Sequence, residues 1–256
     1  MSGDGEERDG VALPPEVVRR AAALAARHGL DASQRGQLSV LLERLVFDAR
    51  APTGIRDPQA VIDRHLADSL VALELERVRG ADALLDLGAG AGLPGLALAI
   101  VLPRSRFVLL DSAARKVAFM RDVVSGCRLA NVEVVHERAE TLATRTGPAF
   151  DVVTARAVAR LDVTAEYAAP LLRVGGSLVA WAGRRAREAE DALDRAAAEL
   201  GLRRIAVRRV EPFPDAEHRH LYVMLKVSDT PARFPRRPGV AHKRPLGANP
   251  RRSAGV

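Results

Sequence analysis

The sequence predicts an α/β fold: a Rossmann-like, seven-stranded mixed sheet with its last strand antiparallel, preceded by an N-terminal helical extension. Three observations predict it. From Ala83 on, short apolar runs (ALLDL, RFVLLD, VEVVH, FDVVTAR, SLVAW) alternate with helical patterns, and the intervening segments are long enough for the crossovers that parallel strands require. Two further strand patterns, RRIAVRRV and HLYVMLK, are separated only by EPFPDAEHR, which suits a loop between antiparallel neighbours. Finally, LLDLGAGAGLPGLALAI passes from the first strand through a glycine cluster into a helix, at the turn where open α/β sheets hold their ligands.

The elements follow in order. Residues 1–12 are polar and acidic and are expected to be disordered. Pro14-Pro15 opens a helix to about Arg27, closed by Gly29. Leu38, Leu41, Leu42, Leu45 and Val46 then form the apolar stripe of a second helix. Asp57-Pro58 is an N-cap followed by proline in the first turn. Val61, Ile62, His65, Leu66, Ser69, Leu70 and Leu73 share one face of the third helix. The expected organisation is a helical cap over 13–80, a main domain over 81–228 and a basic, proline-rich tail over 229–256.

Composition narrows the classes. At 256 residues, 48% hydrophobic and 28% charged, the chain can bury a sizeable core. One cysteine, Cys127, permits no intramolecular disulfide and no zinc cluster. The N-terminus is not signal-like and no apolar run approaches a membrane span, so a cytoplasmic protein with neither metal nor membrane association is expected. The formal charge of +7 is carried by Arg233, Arg236, Arg237, Lys243, Arg244, Arg251 and Arg252; no acid follows residue 230. Such a tail suits a polyanion such as nucleic acid, although a solvated arm without a partner has the same composition.

Gly88, Gly90 and Gly92 occupy the first strand–helix turn. Gly90, Gly92 and Gly95 also satisfy G-x-G-x-x-G, a weak signal that leaves a dinucleotide open. Asp86, just before the glycines, would repel a pyrophosphate but suit S-adenosyl-L-methionine, whose ammonium and sulfonium are both positive. Asp111 ends RFVLLD, where an acid accepts ribose hydroxyls. This pairing of acids, with a terminal antiparallel strand pair, resembles class I S-adenosylmethionine-dependent methyltransferases. Leu93 would cover the pocket and Pro94 begin the helix. After the third strand, Ala139 and Glu140 would flank the adenine, with an exposed helix-cap acid as the plainer role for Glu140. The fourth strand would deliver Thr154, Ala155, Arg156 and Ala157 to the rim. Arg156 is suited to stacking or gripping phosphate rather than proton abstraction, or to a salt bridge with a nearby acid.

Several segments together resemble the RsmG (GidB) family of bacterial methyltransferases, which modify guanine N7 in small-subunit ribosomal RNA: RDPQAVIDRHLADSL, LLDLGAGAGLPGLALAI, LLDSAARKVAFMRDVV, VVHERAE, VVTARAVA, RHLYVMLK and FPRRPGVAHKRPL. The resemblance implies methyl transfer to 16S ribosomal RNA or a small-subunit particle, with cofactor contacts at Gly88, Leu93, Ala139, Glu140 and Arg156. His65, Asp68 and Ser69 would border the cleft, or simply join cap to sheet through polar contacts. Arg236, Arg237, Lys243 and Arg244 would meet the RNA. Two departures stand out: FDARAPTGIRDP replaces an aromatic–Asn segment, and WAG places Ala182 where many relatives have lysine. N7 carries a lone pair and no proton, so no acid–base catalyst is expected. Trp181 and Phe119 read as core, and His218 and His220 as alternating strand residues that share no metal. A monomer is expected. The competing readings are an NAD-dependent oxidoreductase and a non-catalytic RNA-binding protein that keeps the fold.

Overall fold

The computed structural model describes residues 12–248; the expected disordered start and Arg251 and Arg252 of the tail lie outside the described residues. Helix α1 (Pro15–Arg27) begins at the proline pair and buries Val17, Ala21, Leu24 and Ala25. In α2 (Ala32–Phe47), Asp31 and Gln34 form a capping box, and the buried residues are the five of the predicted stripe. Two side-chain amides fasten α2 to the body: Gln34 donates to the Ile100 carbonyl at 2.8 Å and Gln37 to that of Cys127 at 3.1 Å.

The third helical stretch departs from a single regular helix. α3 (Pro58–Val61) is capped by the Asp57 carboxylate, which accepts from the Ala60 amide at 2.8 Å. It runs into a π-helical turn (Ile62–Ala67), then α4 (Asp68–Leu70) and a 3-10 turn (Val71–Glu74). A short α5 (Glu76–Arg79), not read from the sequence, precedes the sheet. A π turn inserts one residue into the helical repeat, a distortion frequent at functional sites, and here it falls on His65.

The remaining elements alternate as expected: β1 (Ala83–Leu87), α6 (Gly95–Val101), β2 (Arg106–Asp111), α7 (Ala114–Cys127), β3 (Val132–His136), α8 (Ala139–Thr146), β4 (Phe150–Arg156), α9 (Leu161–Ala168), β5 (Leu172–Ala182), α10 (Arg187–Leu200), β6 (Leu202–Arg209), β7 (His220–Lys226) and α11 (Val240–Lys243). Strand order is β3-β2-β1-β4-β5-β7-β6. The first five strands are parallel, and β7 lies antiparallel between β5 and β6. β5 begins before SLVAW because Gly175 and Gly176 carry the chain through a bulge against β4. One apolar cluster joins α6, α7 and the N-terminal helices on one face of the sheet. The other joins α8, α9, α10 and Phe234 on the opposite face. Phe119 is buried in the first, as read, and so is Cys127. Order reverses between β1 and β4, so a crevice opens beyond the carboxyl ends of the central strands.

Candidate functional site

The glycine turn leaves β1 at Gly88. Gly88, Gly90 and Gly92 all have positive φ (63°, 60° and 83°), and a Cβ on Gly88 would also sit 3.1 Å from Val158, so only glycine fits without strain. The turn is stitched to β2 through backbone and carboxylate. Ala89 N–H donates to the Leu110 carbonyl at 2.9 Å. Asp111 accepts from Gly90 N–H at 3.0 Å through one oxygen and from Ala113 N–H at 2.9 Å through the other.

A cavity of about 270 Å³ lies over this turn, lined among others by Gly88, Asp111, Lys116, Glu137, Glu140 and Tyr167. Its volume is near the lower end of small-molecule sites. Three carboxylates, Asp111, Glu137 and Glu140, outnumber two cations, Lys116 and Arg138, and the Lys116 ammonium lies 3.4 Å from Asp111, so the lining is acidic by one charge and favours a cationic ligand over a diphosphate. A larger open groove, about 620 Å³, runs along β6; its Arg204 is already paired with Glu190 and Asp194, and it has no glycine turn.

Several expected site residues are placed differently. Asp86 does not reach the cavity: it is 1% exposed, accepting from Gly95 N–H at 2.8 Å and from the Thr154 hydroxyl at 2.9 Å. A Cβ on Gly95 would meet Leu109 at 2.2 Å and the Asp86 carboxylate at 2.8 Å, so glycine there admits the acid beneath the helix start. Burial pushes the Asp86 carboxyl up to about 7, against the pull of these two donors. Asp86 therefore anchors the turn through these two bonds. Leu93 is buried in the core instead of covering the pocket, and Pro94 is the N-cap of α6 rather than its first residue. Thr154 and Ala155 are buried. Only Arg156 and Ala157 of that quartet reach the rim, with Ala157 strained at φ 55°. Glu140 is buried, not an exposed cap, and accepts from Gly239 N–H at 3.0 Å.

A second polar cluster forms where the π turn meets the ends of β4, β5 and β7. Arg156 donates to Asp68 at 3.1 Å and to the Arg64 carbonyl at 3.4 Å, so the salt-bridge reading of this arginine is realised. Trp181, read as core, donates its indole N–H to the Asp68 carbonyl at 2.8 Å. Asp68 Oδ1 and Arg219 Nε lie 3.8 Å apart, both buried without a hydrogen-bond partner among the described residues. His65 meets Thr53 Oγ1 at 2.7 Å, which places the FDARAPT departure in contact with this cluster. Burial, reinforced by the Arg156 charge, lowers the His65 imidazole to about 4, so it is neutral at physiological pH. Ser69 is buried and returns its hydroxyl to the His65 carbonyl; it serves the helix and does not border a cleft. Ala182, at the WAG departure, ends β5 opposite His220.

The tail is not a free arm over its described length. Arg236 grips both oxygens of the buried Glu166 through one guanidinium edge, Nε donating at 2.6 Å beside Nη2, so the arginine expected to meet RNA is engaged in an intramolecular pair. Arg233 pairs with Glu199 at 3.1 Å. Arg237, Lys243 and Arg244 remain exposed. The sequence reading missed Lys116, Tyr167, Thr53 and Arg219, and it took Trp181 for core alone. Of these, only Lys116, in the first turn after the β2 acid, carried a local signal.

Sheet order, the glycine turn and the acid at the end of β2 together define a class I S-adenosylmethionine-dependent methyltransferase. A family model described as rRNA small subunit methyltransferase G matches residues 47–222. The chain belongs to that family. A Rubrobacter xylanophilus protein named Ribosomal RNA small subunit methyltransferase G is 40% identical over 242 residues, covering 90% of this chain and 93% of the relative. A Deinococcus radiodurans protein of the same name is 43% identical over 200 residues, covering 76% and 78%. The fold is shared with a SAM dependent methyltransferase from Aquifex aeolicus (TM-score 0.52, 17% identity, 67% of this chain and 94% of that one). It is shared too with an O-methyltransferase family protein from Burkholderia thailandensis (TM-score 0.51, 17% identity, 83% and 72%). The oxidoreductase and non-catalytic readings are not favoured.

Proposed function

We propose that this protein transfers a methyl group from S-adenosyl-L-methionine to N7 of a guanine in 16S ribosomal RNA, acting in the cytoplasm as a monomer on the RNA or a small-subunit particle. The observation that carries the reading is the acid-lined cavity over the glycine turn in a chain of this family. When bound there, the cofactor supplies an electrophilic methyl on a sulfonium. The backbone of the glycine turn would lie against it, Gly88 lining the cavity and Gly90 and Gly92 shaping the turn. The Asp111 carboxylate, held by Gly90 and Ala113, would take ribose hydroxyls, and Ala139 with Glu140 would flank the adenine. Asp86 acts indirectly, fixing Gly95 and the start of α6.

The acceptor side is assigned to the rim beyond β4, where Arg156, His65 and Asp68 converge. N7 needs no base to remove a proton, so orientation carries the rate; holding acceptor and methyl in line can supply roughly 7–11 kcal/mol. With His65 neutral, the cations at this rim are Arg156 and Arg219, and Arg156, at the end of β4, is assigned to stack on or bond a splayed guanine. Asp68 keeps that guanidinium in place. The exposed Arg237, Lys243 and Arg244 are assigned to phosphate contacts, whereas Arg236 is held by Glu166 and Ser69 by the His65 carbonyl.

The test is methyl mapping of 16S ribosomal RNA in a strain lacking the gene, complemented with wild type or Arg156→Ala. We expect one N7-methylguanine to vanish, to return with wild type and to stay below about a tenth of wild-type level with the variant. A deletion that leaves all N7 methylation intact would refute the function, and full restoration by the variant would refute the role of Arg156.

A further inference from the structure

The tail's neutralised side and the cofactor wall are parts of one connected object. Residues 230–248 run back over α9 and α10. Phe234 and Ala241 are buried along the way. Gly247 packs so closely that a Cβ would stand 2.3 Å from the Ala192 carbonyl and 2.6 Å from Asp162, and its own carbonyl accepts from Arg195 at 2.7 Å. Two acids receive this strap, and each adjoins the cavity. Glu166, joined to Arg236, precedes the lining residue Tyr167; Glu140, itself lining the cavity, holds Gly239 N–H. Without the strap both carboxylates, now 3% and 7% exposed, would lose these partners, and a buried carboxylate without a partner draws water and moves.

We propose that Glu140 is a positioning residue through which the C-terminal strap holds the adenine-side wall of the cofactor cavity in its binding geometry. This rests on the cavity being the S-adenosylmethionine site. The strap's neutralised side is thereby distinguished from its exposed Arg237, Lys243 and Arg244: one face props the wall, the other is free for phosphate. The carboxylate of Glu140 works as an acceptor, not as a charge. Glutamine, whose amide oxygen can accept from Gly239 N–H, should therefore replace it, and alanine should not.

The experiment measures the dissociation constant of S-adenosylhomocysteine by calorimetry for wild type, Glu140→Ala, Glu140→Gln, Gly239→Val and the combination of Glu140→Ala with Gly239→Val. At Gly239, φ is 83° and a Cβ would meet nothing within 4 Å, so valine disturbs the latch through the backbone alone. We expect Glu140→Ala and Gly239→Val each to weaken binding about tenfold, the double variant no more than either single one, and glutamine to stay within twofold of wild type. A direct contact between Glu140 and cofactor, independent of the strap, would make the losses multiply toward a hundredfold and overturn the proposal, as would wild-type affinity in Gly239→Val. Should Gly239→Val not fold, truncation after Asp229 closes the same cycle, with multiplying losses again overturning it. Failure of wild type itself to bind would instead refute the cavity assignment.

Discussion

Replacing Asp86 by asparagine should stabilise the protein above neutral pH and leave it nearly unchanged in acid. The wild-type carboxyl is buried and pushed up to about 7 from an ordinary value near 3.8. Between those values the native state binds more protons than the unfolded chain, so stability contributed by this site falls as pH rises through the window and levels off above 7. Three units correspond to an upper bound of about 4 kcal/mol. Asparagine keeps both contacts: its carbonyl accepts from Gly95 N–H, and its amide donates to Thr154, whose hydroxyl turns to the Leu85 carbonyl at 3.4 Å. Allowing for imperfect repacking, the expected gain is about 1–2 kcal/mol at pH 8.5 and near zero at pH 4. Urea unfolding of both proteins at the two pH values measures it, and titrating groups remote from Asp86 cancel in the difference. A variant destabilised equally at both pH values would refute the reasoning, because the buried charge would then cost nothing.

His65 has the opposite sign. Its imidazole is held at about 4, below the ordinary 6.5, so its contribution is complete above pH 6.5 and is lost as pH falls toward 4; urea unfolding should show wild type losing about 2 kcal/mol more stability between pH 6.5 and pH 4 than His65→Gln loses. Arg236→Ala strands the buried Glu166 and should cost about 3–5 kcal/mol, whereas Arg237→Ala, three atoms of backbone away but exposed, should stay within about 0.5 kcal/mol by the same assay. Equal losses at the two arginines would return Arg236 to the solvent.

Much of the architecture was legible because periodicity and punctuation agreed. HLYVMLK is β7 to the residue, the α2 stripe is the buried set, and Asp57-Pro58 caps α3. The direction of Asp86 was not legible: on a central parallel strand both faces are buried, so alternation cannot tell a cavity-facing acid from one pointing under a helix. The π turn at His65 leaves the apolar spacing almost intact and so carries no pattern signal. The tail misled for a different reason. Its arginines read as a solvated run because their partners stand far away in sequence, Glu166 at 70 residues from Arg236 and Glu140 at 99 from Gly239, and pairing at that distance is decided by tertiary contact alone.

The reversal of β7 has a geometric cost. A strand running against its five parallel companions delivers the chain to the floor of the molecule, on the side remote from the crevice. Whatever follows must climb the full height of the outer helical layer before it can meet α8, so the spacer between Lys226 and Gly239 is a measured length of rope. Shortening it by a few residues would leave every strand in place and still pull the end of the chain away from the doorway it props.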